Sequence, residues 1–467
     1  MWGLGNRPLA NWDEAIYAQI SKEILQSGDW FTLHWESQLW FEKPPLYIWI
    51  TAILFHLFGV SEFWARAASA LSGAGLLAFT YLIGKFISSE WVGLLAALIL
   101  LTSFQFAQSS RLATTDMMML MFIYSAIYFY LRLRDGNQRW WYLISISCAL
   151  AFMVKGFASF VAPAAIALAL PLDKRFTATI RSRHFWLSCL FALALIAPWH
   201  IGMYLLHGND FIDEYVRYHV ITRTLTPIEG HTEDYWFYFR QVIEKFKPWW
   251  ILTPLAIAFH ARENIKGRSS SWILLVVGIL VFGVYTVAQT KLPWYIAPLY
   301  PALTILIASM IVRAYKLNRT VKPCVILLCA ISLLFAASKL RPLYYETDTL
   351  DTPVKKLALL ARRTDANDLE PLILFSKDCT FDRHAVLFYS ERRILQATLS
   401  NQIDDKLPRQ RYADYKDLAE VTNSSTQKIL LNKRDIETLL ADYEINVVAE
   451  ADFLAYATIK KREKSLH

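Results

Sequence analysis

Apolar positions in this chain gather into long continuous runs instead of recurring at the spacing of a half-buried helix or strand. Ten runs fall at 66–85, 91–108, 117–133, 140–154, 157–171, 186–206, 248–260, 272–288, 296–312 and 322–339. A bilayer asks for about 20 apolar residues from a crossing helix, and the runs reach or approach that length, so each predicts a membrane-spanning helix. A further run at 46–58 is too short for a comfortable span and follows Pro44-Pro45. It predicts a juxtamembrane helix lying at the outer interface.

After residue 340 the pattern turns mixed and charged. "PVKKLALLARR" and "KRDIETLLADY" have helical spacing, "LILFS" and "KILLN" read as short buried strands, and "INVVAEADFLAYATI" reads as a strand pair. The expected organisation is a membrane-embedded domain over 1–340, with a first-loop region at 1–65 and a long outer loop at 207–247. A small α/β domain follows over 341–467. No internal repeat, low-complexity segment or Gly/Ser linker interrupts the chain.

Composition agrees with this reading, since 55% hydrophobic residues against 19% charged ones exclude an ordinary soluble globule. The net charge of +8 raises nucleic acid as a partner, but its basic residues concentrate in "RLRDGNQR", "DKRFTATIRSRH", "HARENIKGR" and "RAYKLNRTVK". These segments occupy alternate loops, as the positive-inside rule requires of cytoplasmic ones. The complementary loops are then extracytoplasmic: 1–65, 109–116, the Lys155-Gly156 corner, 207–247, 289–295 and everything after 340. This parity starts the chain outside with no apolar segment ahead of it, so a first transmembrane helix upstream of residue 1 is expected. Cys148, Cys189, Cys324 and Cys329 lie in apolar runs and Cys379 stands alone, which reads as inert thiols and not as a disulfide framework.

Polar residues unexplained by the apolar runs collect on the outer side. Asn11 and Glu14 have the spacing of a capping box, and Asp13 beside Glu14 suits the first turn of a helix. Asp116 stands where a helix would begin, with Arg111 as a candidate counter-ion. Glu42-Lys43 precede Pro44-Pro45 at an interface, Lys155 lies at a corner, and Lys291 lies at a membrane entrance among aromatics. His219, Arg223, Glu229, His231 and Asp234 share the long outer loop, without a close-spaced metal motif. Each group alone has a structural explanation. Together, three carboxylates, three lysines and histidines on one face exceed what capping needs. A lipid-bound phosphate needs cations, and an attacking nucleophile needs a carboxylate to take or polarise its proton.

The segments "WDEAIYAQISKEILQSGDW", "FEKPPLYIW", "RLATTDM", "LAFMVKGF" and "KLPWYIAPLYPAL" resemble, in that order, the lipid-linked-sugar glycosyltransferases of the membrane-embedded type C fold. The likeness runs over residues 6–310. It is nearest to the bacterial aminoarabinose transferases that modify lipid A, with the protein O-mannosyltransferases more distant. The resemblance implies an α-helical polytopic membrane protein of the bacterial inner membrane, with its active site and carboxy-terminal domain facing the periplasm. It implies inverting transfer of a sugar from a polyprenyl-phosphate carrier, undecaprenyl phosphate in bacteria, to lipid A or another surface glycan, with a protein hydroxyl as the alternative acceptor. Asp13 matches the catalytic aspartate, with Glu14 beside it, and Asp116 matches the second acid. Lys43, Lys155, Arg223 and Lys291 are the candidates for the carrier phosphate, while Tyr17 and Tyr295 would line the site. Glu42 and His219 match a divalent-metal pair, zinc or another ion, although Tyr218 stands where a glutamate normally precedes that histidine. No nucleotide cofactor is expected, because the sugar arrives already activated. A transporter or flippase would instead keep its ionisable groups near the midplane, in paired repeats.

Overall fold

The computed structural model describes residues 3–10, 12–222, 233–266, 271–317, 322–345, 351–364, 371–375, 383–399, 415–422 and 426–462. Every apolar run contains helix: Glu62–Ile87, Glu90–Leu101 with Phe104–Ser109, Asp116–Arg132, Trp140–Lys155, Val161–Leu172, Arg183–Phe211, Thr253–Ile265, Trp272–Val287, Leu299–Leu317 and Lys322–Tyr345. Five helical stretches among the described residues are long and apolar enough to cross a membrane, and one of them joins Trp140–Leu172 into 33 residues. The chain is a multi-pass membrane protein.

That 33-residue stretch is two antiparallel helices. At one end of Asp116–Arg132, Asp116 meets Lys155 at 2.6 Å; at the other end, the Tyr130 hydroxyl donates to Asp173 at 2.8 Å. Trp140–Lys155 therefore climbs towards Asp116, and Val161–Leu172 descends beside Asp116–Arg132. The reversal falls at Gly156 with φ +57°, a conformation that a side chain disfavours. A Cβ at Gly156 would also come within 2.7 Å of the Tyr215 hydroxyl.

Packing inside the bundle uses side chains to complete backbone hydrogen bonds that prolines leave open. The Tyr124 hydroxyl donates to the Pro298 carbonyl at 2.7 Å and accepts from the Ala302 amide at 2.9 Å, binding Asp116–Arg132 to the start of Leu299–Leu317. Leu71, Trp91, Leu98, Leu190 and Leu205 are exposed, as residues facing lipid should be.

The amino-terminal helix Asp13–Ser27 buries nearly every face. It packs on helix Leu46–Phe58, which follows Pro44-Pro45, and on the short helix His384–Ser390 of the carboxy-terminal part. That part holds a six-stranded sheet. Tyr415–Asp417, Ile394–Thr398, Leu372–Phe375 and Gln427–Asn432 run parallel, followed by Leu454–Lys461 and Tyr443–Ala451 as an antiparallel pair. Helix Asp351–Thr364 covers "PVKKLALLARR", and the last two strands are the expected pair. The strand at Ile394–Thr398 and the helix at His384–Ser390 have no counterpart in the sequence reading.

The carboxy-terminal part shares a core with one end of the bundle: Leu9, Ala15, Ala18, Phe55, Ala65 and Ala113 join one apolar cluster with Leu357, Leu387 and Phe388. Polar contacts rim this core. Lys355 and the Tyr389 hydroxyl both reach Glu62, the Leu9 amide donates to Tyr389 at 2.8 Å, and Lys22 pairs with Glu391.

Candidate functional site

Asp13 opens the amino-terminal helix and Tyr17 follows one turn later on the same face. Tyr17 is fully buried in a setting that includes the Trp40 and Tyr47 rings, each 6.1 Å away. Its hydroxyl accepts from the Lys43 ammonium and lies beside the Asp13 carboxylate. Burial first, and then the nearby charges of Asp13, Glu42 and Asp116, push its pKa well above the ordinary tyrosine value. Tyr17 therefore stays protonated and links a cation to an acid. Lys43 also lies 3.6 Å from Glu42.

Asp116 begins its helix and pairs with Lys155, both largely buried. Lys155, not Arg111, is thus the counter-ion, and Arg111 donates to the Gly3 carbonyl at 3.2 Å. One wall continues through Tyr285, within Coulombic reach of Asp116, to Tyr295, whose ring centroid is 5.3 Å from that of Tyr285. The structure thereby brings Asp13, Tyr17, Glu42, Lys43, Asp116 and Lys155 together, with Tyr295 further along the same wall.

Glu14 has a different occupation from the one its neighbourhood suggested. It accepts from Arg66 Nε at 2.7 Å and Nη2 at 2.8 Å, from the Ala10 amide at 2.8 Å and from the Ala113 amide at 2.7 Å. Arg66 spends its remaining donors on the carbonyls of Leu4, Arg7 and Pro8. A carboxylate so filled has no acceptor capacity left for a substrate. Glu14 and Arg66 form a buried strut that fixes the start of the helix and leaves Asp13 facing the site. Asn11, the other half of the expected capping box, lies outside the described residues.

Lys291 is buried and tied locally: its ammonium donates to the Ala288 carbonyl at 2.8 Å and lies 5.7 Å from the Tyr235 ring centroid. His219 sits on a π-helical segment, Ile212–Thr222, against the Tyr218 ring. Arg223, Glu229 and His231 lie outside the described residues. Asp234 pairs with Arg240 at 2.9 Å.

The acid coupled to Glu42 is Glu214, which also accepts from the Phe41 amide at 3.4 Å. No sequence signal singled Glu214 out, because it stands among ordinary polar residues of the segment that follows Arg183–Phe211. Among the described residues, no three His, Cys, Asp or Glu side chains converge as a set of metal ligands. A tightly held zinc takes three or four, so the described donors do not fit such a site and no step is assigned to an ion.

An apolar groove of about 710 Å³ runs between Val161–Leu172 and Trp272–Val287, lined by Leu168, Val276, Ile279, Leu280, Gly283, Val284 and Val287. None of these lining residues belongs to the Asp13 cluster. Val287 adjoins Ala288, whose carbonyl holds Lys291.

Residues 42–201, which carry Glu42, Lys43, Asp116 and Lys155, match the dolichyl-phosphate-mannose-protein mannosyltransferase family. The undecaprenyl phosphate-alpha-4-amino-4-deoxy-L-arabinose arabinosyl transferase 1 of Sodalis glossinidius is 30% identical over 71% of this chain and 61% of its own length. The corresponding transferase 2 of Pseudomonas fluorescens is 28% identical over 72% of this chain and 60% of its own. The crystal structure of ArnT from Cupriavidus metallidurans bound to undecaprenyl phosphate superposes with a TM-score of 0.71 over 98% of this chain and 95% of that one, at 20% identity. The chain is thus similar in sequence to aminoarabinose transferases and, over residues 42–201, to protein mannosyltransferases. Archaeal oligosaccharyltransferase AglB from Archaeoglobus fulgidus shares the fold more distantly, with a TM-score of 0.58 over 92% of this chain. The expected type C glycosyltransferase fold is therefore present, while the chain spans about three fifths of the length of the two arabinosyl transferases.

Proposed function

We propose that this protein is a glycosyltransferase that moves a sugar, with inversion, from a polyprenyl-phosphate carrier to an acceptor at the extracytoplasmic face. Aminoarabinose-like transfer to lipid A is the leading acceptor reading. In this reading residues 1–340 form the transferase unit and 341–467 an extracytoplasmic unit, both active on the periplasmic side of the inner membrane. The observation that carries the proposal is the convergence of Asp13, Glu42 and Asp116 with Lys43 and Lys155 at one end of the bundle, Tyr17 being bonded to Lys43 and lying beside Asp13.

Each group has a task. Lys155 is held by Asp116 through one of its three donors, and the remaining donors, with Lys43, bind the carrier phosphate. As the bond from the anomeric carbon to the phosphate oxygen breaks, the electron pair stays on phosphate, and both ammonium groups stabilise the growing charge. Asp13 takes or polarises the proton of the acceptor as its oxygen attacks the anomeric carbon from the opposite face. Tyr17 stays protonated and fixes Asp13 relative to Lys43, so the base and the phosphate clamp keep one geometry. The groove ending at Val287 suits the carrier's apolar tail.

The family match over residues 42–201 favours protein O-glycosylation as the second reading. Mass spectrometry of lipid A, with total glycoprotein staining beside it, from cells lacking the gene, carrying it or carrying Asp13→Asn separates the two. Loss of one sugar-sized mass from lipid A, restored only by the wild type, supports the first. Unchanged lipid A with lost glycoprotein staining supports the second, and unchanged glycans throughout overturn both.

A further inference from the structure

The carboxy-terminal domain places one side chain directly against the start of the amino-terminal helix. His384 opens the short helix His384–Ser390 and is buried. Its ring lies between two tryptophans of the outer loop, 4.9 Å from Trp12 and 5.5 Å from Trp35, stacked at 23° on the second. Arg383 closes the far side of Trp35, with its guanidinium 4.8 Å from that ring, and reaches Glu36 at 3.3 Å.

Trp12 is the residue before Asp13, and its backbone holds φ 68° and ψ −136°. An L-residue with a bulky side chain disfavours that conformation and keeps it only when its surroundings over-determine it. Trp12 is 40% exposed, and its ring meets the His384 ring. Asp13 lies within Coulombic reach of the same imidazole. Among the described residues, His384 Nδ1 and Trp35 Nε1 are both buried without a hydrogen-bond partner. Buried ring nitrogens are normally satisfied, and the contacts His384 makes with Trp35 and with Trp12 are ring contacts.

We infer that His384 is a positioning residue for Asp13, supplied by the carboxy-terminal domain and acting through the stacked rings of Trp12 and Trp35. The inference rests on the catalytic reading of Asp13 given above. Loss of the stack lets the Trp12 backbone relax to negative φ, which turns the peptide that precedes Asp13 and displaces its carboxylate from the acceptor. The domain after residue 340 is then a component of the active site.

The test uses the full chain in detergent, labelled with 5-fluorotryptophan, with the Trp12 resonance assigned by its loss in Trp12→Phe. His384→Ala is compared with His384→Phe, which keeps a flat ring between the tryptophans. The Trp12 fluorine signal is expected to shift or broaden in His384→Ala and to stay near the wild-type position in His384→Phe. In a transfer assay reading release of free polyprenyl phosphate, kcat of His384→Ala is expected to fall by about tenfold to a hundredfold at unchanged donor KM, the scale of loss from an ångström-sized misplacement. His384→Phe should stay within a few-fold of wild type. A wild-type Trp12 signal in His384→Ala overturns the inference, as does unchanged kcat there or a loss in His384→Phe equal to that in His384→Ala. If wild type itself releases no polyprenyl phosphate, the transferase reading fails, while the fluorine spectra still decide whether His384 holds Trp12.

Discussion

Lys155 donates to Asp116 at 2.6 Å across the mouth of the bundle, with both side chains about nine-tenths buried. The pair joins the corner between two antiparallel helices to the start of a third, so it is both a brace and the inner half of a phosphate clamp. Breaking one side of a buried pair leaves an uncompensated charge, at a cost of about 3–5 kcal/mol. Lys155→Met should therefore lower thermal stability sharply, and Asp116→Asn combined with Lys155→Met should recover most of it while remaining inactive. A double variant as unstable as Lys155→Met, measured by thermal unfolding in detergent, would show that the brace lies elsewhere.

Asp13→Asn should abolish transfer while leaving folding near wild type, because the Asp13 carboxylate faces the site and the Glu14–Arg66 strut remains intact. Activity measured as released polyprenyl phosphate checks this, and retention of most turnover would contradict the assignment. Tyr17→Phe breaks the link between Lys43 and Asp13 but removes neither. It should reduce kcat by about tenfold to a hundredfold, in the range that positioning effects reach.

Glu14 and Asp13 are sequence neighbours with opposite expected behaviour. Glu14→Gln leaves Arg66 without a charged partner in a buried setting and should cost about 3–5 kcal/mol of stability. Its surviving folded fraction should keep the wild-type donor KM. Equal Tm values for Glu14→Gln and wild type would refute the strut.

The sequence and the structure part company at this pair for a physical reason. Apolar runs are set by the bilayer, so the helices within them, the helix after Pro44-Pro45 and the terminal strand pair were legible from pattern alone. Asp13, Lys43, Asp116 and Lys155 could be gathered because each stands at the end of a span or loop on one face. Whether a carboxylate is free or filled depends on partners far along the chain, and Arg66 is 52 positions from Glu14. Glu214 and His384 were illegible for the same reason. His384 opens a helix of seven residues, too short to show a period, and its tryptophan partners lie in the first 35 residues.

Orientation can be tested on exposed positions on the two sides. Gln38 in the first loop and Asn137 in a basic loop are both exposed. A cysteine at Gln38 should react with a membrane-impermeant maleimide added to intact spheroplasts, and one at Asn137 should react only after permeabilisation. The reverse pattern would invert the proposed topology and place the Asp13 cluster in the cytoplasm.

Stability of the carboxy-terminal domain should depend on pH through His384. Burial, reinforced by neighbouring Arg383, lowers its pKa to about 4 from an ordinary 6.5. The unfolded chain therefore binds the proton more readily between those values, and unfolding is favoured as protons become available. The stabilisation is fully present above pH 6.5, shrinks as pH falls through 6 and 5, and is lost near pH 4. Its full size is about 3 kcal/mol by linkage. His384→Phe cannot take up a proton, so its melting temperature should change less than that of wild type between pH 7 and pH 4.5. Parallel melting curves for the two proteins across this window would mean that His384 is solvated or paired, and the buried stack with Trp12 and Trp35 would then have to be abandoned.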